Sequence, residues 1–189
     1  MVIRPEQPGD VAAIHAVHAS AFPTDAEARL VDGLRAGGHL SLSFVAEDEG
    51  RIVGHVAFSP VTLAGTADGL GLAPLSVTPK HQRTGIGSQL VQAGLAAAAS
   101  AGIRFVVVLG HPGYYPRFGF RRAPEVRLRN EYGADEAFMV LELRPGSLPP
   151  GGGLVRYGAE FSAWGRAEPL YGLESQEGAA RTGPDFPSE

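Results

Sequence analysis

The 189-residue chain contains no cysteine. That excludes a disulfide framework, thiolate zinc sites and cysteine nucleophiles. Charge is sparse at 19% of residues and aromatic side chains make up 8%, but 44% of the chain is hydrophobic. This is too little charge for wholesale disorder and enough apolar matter for one core, which at this length buries roughly 70% of the unfolded surface. Positive charge is not in excess: 16 Lys and Arg face 20 Asp and Glu, a net charge of -4, so there is no electrostatic footprint for nucleic acid. A spanning helix needs about 20 mostly apolar residues. The most apolar stretch, Leu90 to Gly110, is interrupted by Gln92, Ser100 and Arg104 and changes character at Gly102; it reads as a helix followed by a buried strand. Met1 to Glu6 carry no apolar h-region of a secretory signal. A soluble, cytoplasmic protein is expected, with no membrane and no nucleic-acid partner.

Glycine and proline are plentiful instead, with 26 and 15 residues, over a fifth of the chain against a usual share of about 12%. They punctuate a readable order of elements. Val2 to Arg4 reads as a short strand closed by Pro5 and Pro8. Asp10 stands at the N-cap of a helix carrying Ile14, Val17, His18 and Ala21 at helical spacing. Thr24 caps a second helix with Leu30, Val31 and Leu34 on its apolar face, ended by Gly37-Gly38. Phe44 to Ser59 reads as a hairpin around the acidic turn Glu47-Asp48-Glu49-Gly50. Ile52, Val56 and Phe58 fall on one face of its second strand, and His55 on the other beside Val53 and Ala57. A lone strand histidine is more often structural than catalytic. Leu70 to Val77 is a strand with Pro74 in its middle. Proline cannot donate to a ladder, so this is an edge strand, or one that parts from its neighbour and leaves backbone groups open to a ligand. Gly85 to Ala101 is a helix with an apolar stripe of Ile86, Leu90, Val91, Leu95 and Ala98, closed by Gly102. Arg104 to Leu109 is a buried strand parallel to Leu70–Val77, making a βαβ unit. A further strand is expected from Ala137 to Leu143.

The richest segment runs from Leu75 to Ser88: a strand ends, a polar loop turns and a helix starts at Gly85 and Gly87. The first amides of a helix lack internal partners and sit at the positive end of its dipole, so the place favours a phosphate. The glycines leave those amides uncovered, and Arg83 adds charge. Neither a P-loop nor a complete dinucleotide G-x-G-x-x-G is present. On these residues alone, a phosphate cradle and ordinary helix-start packing both stand.

The string Gln82-Arg83-Thr84-Gly85-Ile86-Gly87, preceded by Leu75-Ser76-Val77-Thr78-Pro79, resembles the [QR]-x-x-G-x-[GA] signature of the GCN5-related N-acetyltransferase (GNAT) superfamily. One helix and one strand later, Tyr115-Pro116-Arg117-Phe118-Gly119-Phe120 is similar to the same family's Y-x-x-x-G-F. The longer string from Leu109 to Phe120 resembles its YhbS-like branch. The resemblance covers Val2 to about Leu143 and is strongest between Gly71 and Arg122. It implies an α/β fold with a mixed, splayed β-sheet flanked by helices and a βαβ acyl-CoA-binding core. It implies acetyl or short-acyl transfer from acetyl-CoA to an amine. Backbone groups of Leu75, Ser76 and Val77 would bind the pantetheine arm and the acetyl carbonyl. Amides of Arg83, Thr84, Gly85, Ile86, Gly87 and Ser88 would hold the pyrophosphate, and Tyr115 would protonate the departing thiolate. Fixed donors suit a reaction that builds charge on oxygen and then on sulfur. Where many members carry an asparagine upstream of the tyrosine, this chain has His111-Pro112-Gly113, so His111 is read as a loop residue before a base or substrate contact. Tyr114 is read as packing. No carboxylate stands out as a general base: Glu47, Asp48 and Glu49 read as a solvated turn, and Glu142 faces water or substrate.

The expected organisation is an acetyltransferase domain over 1–144, a Pro/Gly linker over 145–153, an additional strand over 154–165 anchored by Tyr157, Phe161 and Trp164, and a loosely packed or mobile tail over 166–189. Acetyl-CoA is the expected cosubstrate, with no metal, and a small-molecule or peptide amine is the acceptor; a homodimer is left open. The rival function is a non-catalytic acyl-CoA-binding module or sensor.

Overall fold

A computed structural model describes residues 1–162; Trp164 and the expected tail lie outside the described residues. The strands are β1 (Val2–Pro5), β2 (Leu42–Asp48), β3 (Arg51–Leu63), β4 (Thr66–Val77), β5 (Phe105–Leu109), β6 (Arg121–Arg122), β7 (Leu128–Asn130), β8 (Phe138–Glu142) and β9 (Gly153–Arg156). The helices are α1 (Val11–Ala21), α2 (Ala26–Ala36) and α3 (Ile86–Ser100). One mixed sheet runs β1-β2-β3-β4-β5-β8-β6, with β9 bridging β3 and β7. Along that path only β4 and β5 are parallel, as a βαβ crossover through α3 requires.

Helix α3 lies on one face of the sheet. Its stripe of Ile86, Leu90, Val91 and Ala98 meets Phe58, Leu72, Val106, Val108 and Met139. It ends as the sequence suggests: Gly102 is left-handed at φ +80°, and the Ile103 amide donates back to the Ala98 carbonyl over 3.0 Å, closing the last turn. Helices α1 and α2 cover the other face, where Ile14 and Val31 pack on Val45 and Ala57. Asp10 precedes α1, but its carboxylate accepts from Arg4 at 2.6 and 3.0 Å and from the Gln7 amide at 2.8 Å rather than capping α1.

Two strands depart from the simple alternation. The β2–β3 register shifts between Ala46 and Glu47, which pair with Gly54 and Ile52 and leave Val53 unpaired in a bulge. One extra residue flips every side chain before it. Val53 therefore joins Val56 and Phe58 under α3, and Ile52 joins Ala57 on the α1 side, the reverse of the expected faces. β3 also continues through Pro60, past the end of β2 at the Leu42–Phe58 pair, where no ladder on that side requires the missing N–H. In β4, Leu72 pairs with Phe58 and Leu75 with Val56, so Ala73 and Pro74 bulge opposite Ala57. The β4–β5 ladder spans only Gly69–Gly71 against Phe105–Val107. Beyond Gly71 the two strands part.

The Pro145–Gly153 stretch folds back onto the sheet instead of spanning a gap. Ser147 Oγ donates to the Arg104 carbonyl over 3.0 Å, and the Gly153 amide donates to the Arg127 carbonyl over 3.0 Å. β9 follows, and Phe161, in a 3-10 turn at Ala159–Ser162, packs on Leu30 and Leu34 of α2.

The fit of α3 on the sheet depends on Gly94, where a Cβ would overlap the ring of the fully buried Phe58. Alanine there gains helix propensity of about 1 kcal/mol but overpacks a closed core, which costs about 1–3 kcal/mol or more. Gly94→Ala should lower the melting temperature by several degrees; a thermal scan showing a rise would contradict this packing.

Candidate functional site

The parting strands and the start of α3 form one cleft. Leu75, Ser76 and Val77 close β4 along its open edge, and the polar loop follows at once. The loop is braced from within. The Thr78 amide donates to the Val53 carbonyl over 2.8 Å, Gln82 Nε2 to the Val77 carbonyl over 3.1 Å, and Thr84 Oγ1 to the His81 carbonyl over 2.6 Å. Arg83 and Gly85 are both left-handed, at φ +63° and +86°. For arginine that conformation is uncommon. The first α-helical bond is from the Gln89 amide to the Gly85 carbonyl, so the amides of Ile86, Gly87 and Ser88 precede the ladder. Arg83, Thr84 and Gly85 are exposed, so the positive end of a four-turn helix opens to solvent with a cation beside it.

Gly87 is buried. A Cβ there would lie 3.0 Å from Tyr114 Oη and 3.8 and 3.9 Å from the side chains of Leu75 and Val77. The end of β4, the glycine turn and Tyr114 therefore meet at one point. Tyr114 Oη is also 3.4 Å from Ser88 Oγ, and the Arg117 guanidinium stacks over its ring at 4.6 Å. Tyr114 packs in the core as expected and also brings its hydroxyl to α3; that proximity across 26 residues of sequence left no local signal. Tyr115 is 1% exposed, edge-on to Tyr114 at 5.1 Å and to Phe120 at 5.6 Å, in the same apolar cluster as Leu75 and Ile86. Leu75 to Val77 thus lie on the parting end of β4, Arg83 to Ser88 at the start of α3, and Tyr115 in the apolar cluster beside them.

Other candidates are held elsewhere. His111 Nδ1 accepts from the Gly113 amide over 3.1 Å and shapes its own loop. Glu142 is pinned by Arg121 and by the Ser147 amide at 3.1 Å. Glu47 is not solvated as expected: it accepts from Arg4 Nε at 2.7 Å and is half-buried. Among the described residues no group of three His, Asp or Glu side chains is placed to hold a metal ion, and no helix is long and apolar enough to cross a membrane.

Behind β4, on the α1–α2 face, lies a row of polar groups. Ser76 Oγ is 3.4 Å from His18 Nε2, which is 2.8 Å from His55 Nδ1. His55 Nε2 is 2.8 Å from Ser43 Oγ; Ser43 donates to Glu6, and Glu6 accepts from Arg35 Nε at 2.8 Å. His18 and His55 are both fully buried. Burial holds both imidazoles below their ordinary range, helped for His18 by the neighbouring His55, His15 and Arg35. Burial acts on Glu6 in the opposite sense, but hydrogen bonds from His55, Arg35 and Ser43 outweigh it and bring its carboxyl down to about 2. The sequence signals for this row are His18 within the apolar stripe of α1 and His55 on the second hairpin strand; nothing in the spacing joins them.

Residues 39–122 match the Acetyltransferase (GNAT) domain family. The chain is 42% identical over 165 residues to the uncharacterized N-acetyltransferase YhbS of Escherichia coli (strain K12), covering 86% of this chain and 99% of that protein. A crystal structure of Escherichia coli YhbS in complex with CoA superposes with a TM-score of 0.82 at 41% identity, covering 85% of this chain and 91% of that one. A GNAT family acetyltransferase from Brucella melitensis in complex with acetyl-CoA gives 0.73 at 40% identity, covering 85% and 97%.

The polar row fixes the acid response of the fold. His18, His55 and Glu6 all have folded pKa values below their unfolded ones, so the unfolded chain takes up protons first and stability falls as pH falls. The histidine contribution is complete above about pH 6.5 and is lost below it; that of Glu6 is lost between about 4.5 and about 2. Melting temperatures should drop in those two stages, and Glu6→Gln should flatten the lower one. A variant with an unchanged lower stage would remove Glu6 from the balance.

Proposed function

The chain belongs to the GNAT acetyltransferase family, and on that premise we propose that its cleft passes an acetyl group directly from acetyl-CoA to the nitrogen of a small-molecule or peptide amine. Acetyl transfer from acetyl-CoA is the reaction of the family, and the relatives from Escherichia coli and Brucella melitensis were crystallised with CoA and acetyl-CoA. The observation that carries the reading here is the parting of β4 from β5 directly beside the glycine turn of α3.

The residues fit the donor. Past Gly71, alternate backbone groups of Leu75, Ser76 and Val77 face the open side of β4, where an extended pantetheine arm with its own amides can pair in place of a strand. One of those amides can also take the thioester oxygen as charge builds there. At the other end, amides from Arg83 to Ser88 suit the pyrophosphate: the Gly87 amide stands at the helix start without a side chain, and Arg83 supplies charge.

The acceptor nitrogen attacks the acetyl carbon, the C–N bond forms, and the C–S bond breaks with coenzyme A leaving as a thiolate. Tyr115 is the proposed proton donor to that sulfur. An ordinary tyrosine hydroxyl is a weaker acid than a thiol, near 10 against about 8.5, but it carries its proton at neutral pH and can donate as charge develops. A second assignment has its own support: the Tyr114 hydroxyl already reaches the glycine turn.

The test is a panel of alkyl diamines, amino-acid esters and short peptides, followed by free-thiol release, after confirming that acetyl-CoA raises the melting temperature. Tyr115→Phe should lower kcat about 10²–10⁴-fold with little change in acetyl-CoA affinity. If Tyr114→Phe does this instead, the acid is Tyr114. Tight acetyl-CoA binding with no turnover on any amine would make the protein an acyl-CoA sensor.

The loop can be tested without turnover. Hydrogen bonds to charged groups contribute about 1.5–3 kcal/mol each, so Gly87→Val, which fills the space in front of those amides and presses on Tyr114, should weaken acetyl-CoA about tenfold or more. Unchanged affinity by calorimetry in a folded Gly87→Val protein would take the turn out of the site.

A further inference from the structure

Among the buried polar atoms that have no hydrogen-bond partner in the described residues, two belong to rings that flank the stretch where β4 stands open: His18 Nδ1 and Tyr157 Oη. The His18 ring lies against Ser76 at one end of that stretch. Tyr157 lies over Gly71 at the other, where a Cβ would come within 2.7 Å of its ring. Both ends face the same way. Leu72 and Leu75 pair with Phe58 and Val56, two residues apart on β3, and point together toward α3, so their neighbours Gly71 and Ser76 point together toward α1 and α2. Orphaned buried polar atoms are rare and call for a reason.

The bonding pattern gives the row a direction. Glu6 is ionised and only accepts, from Arg35 and from the Ser43 hydroxyl. With its proton committed to Glu6, Ser43 Oγ accepts from His55, which puts the His55 proton on Nε2. His55 Nδ1 is then bare and accepts from His18, which puts the His18 proton on Nε2. The remaining nitrogen, His18 Nδ1, is left with an open lone pair.

We propose that Glu6, Ser43, His55 and His18 form a proton relay with its entrance at His18 Nδ1, drawing the proton off the acceptor amine as the acetyl group is transferred. This rests on the acetyl-transfer reading of the same cleft. As the C–N bond forms, the nitrogen becomes cationic and releases its proton through one bridging water to His18 Nδ1. The Nε2 proton of His18 moves to His55 Nδ1, that of His55 Nε2 to Ser43 Oγ, and the hydroxyl proton of Ser43 to Glu6, which is partly exposed and returns it to solvent. No imidazole need hold a lasting charge, in keeping with the burial that keeps both neutral. The charged and titratable groups facing the row are His15 on α1, Asp32 and Arg35 on α2, and Glu6 beside β1; Asp32 pairs with both His15 and Arg35 at 2.7 and 3.0 Å. Glu6, Ser43, His55 and His18 are relay or positioning residues, since none is placed in contact with the donor.

Two measurements test the proposal. Nitrogen-15 spectra of histidine-labelled protein saturated with acetyl-CoA should show both His18 and His55 protonated on Nε2 only; a proton on His18 Nδ1 at neutral pH overturns the relay. Kinetics with the most responsive amine of the panel should show kcat down by about tenfold to 10²-fold in Ser43→Ala, with acetyl-CoA affinity unchanged and the acid limb of the kcat profile displaced. Ser43→Thr, which keeps the hydroxyl, should restore both. Ser43→Ala combined with His18→Gln should be no slower than His18→Gln alone, because both cut one path. A Ser43→Ala enzyme with the parent's kcat and pH profile overturns the relay and leaves acetyl transfer standing. A parent protein that binds acetyl-CoA but turns over no amine overturns the transfer reading, and the relay with it.

Discussion

The arrangement depends on what becomes of the backbone of β4 after Gly71. A strand interior normally has a partner on each side, and leaving a buried edge unpaired costs free energy for every orphaned group. Here β5 serves as a partner for only three residues, after which Pro74, which has no N–H to offer, and the Ala73–Pro74 bulge turn β4 away while β3 keeps its hold on the other side. The departing strand leads straight into a loop that ends at a helix terminus, a second place where amides lack partners. Two sets of unsatisfied backbone groups thus lie end to end. A long ligand with amides at one end and phosphates at the other is complementary to both.

Keeping such an edge open requires rigid flanks. On the α3 side the support is apolar, with Phe58 packed against Gly94 and the Tyr114–Tyr115–Phe118–Phe120 cluster closing the end. On the α1–α2 side it is partly polar. Burying two imidazoles is unfavourable unless their nitrogens find partners, and an apolar pair of similar volume would hold α1 at least as well. The row from His18 to Glu6 therefore adds something that packing alone does not require, namely a fixed direction of donation that starts at a histidine with an unpaired nitrogen and ends on Glu6.

Much of this was legible in the residues. The three helices follow their apolar stripes, the βαβ unit follows from Leu70 to Leu109, and Pro74 marked the strand that parts. What was not legible shares a cause: periodicity tells which residues share a face but not who meets them across it. One bulge at Val53 inverted the expected faces of Ile52 and Val53. Tyr114 was read as packing because its hydroxyl meets the glycine turn only after β5 has returned alongside β4. Glu6, Ser43 and His55 belong to three strands or their flanks, and His18 to a helix, so no spacing rule joins them. The Pro/Gly stretch after Leu143 has the composition of a linker, yet Ser147 Oγ and the Gly153 amide donate to the carbonyls of Arg104 and Arg127.

The alternation of β4 also explains how two reactants can approach one edge without competing. Leu72 and Leu75 point to α3, while Gly71 and Ser76 point to α1 and α2. On the proposed reading, the donor reaches the edge from the α3 terminus, and the acceptor from the face where His18 and Tyr157 stand. The thioester carbon then lies in the plane of the sheet, held by backbone groups that belong to neither face. A proton leaving the nitrogen and one reaching the sulfur travel on opposite sides of the strand. Separate sides permit an acceptor and a donor of different proton affinity, a weakly acidic tyrosine toward α3 and a neutral imidazole toward α1, without either neutralising the other.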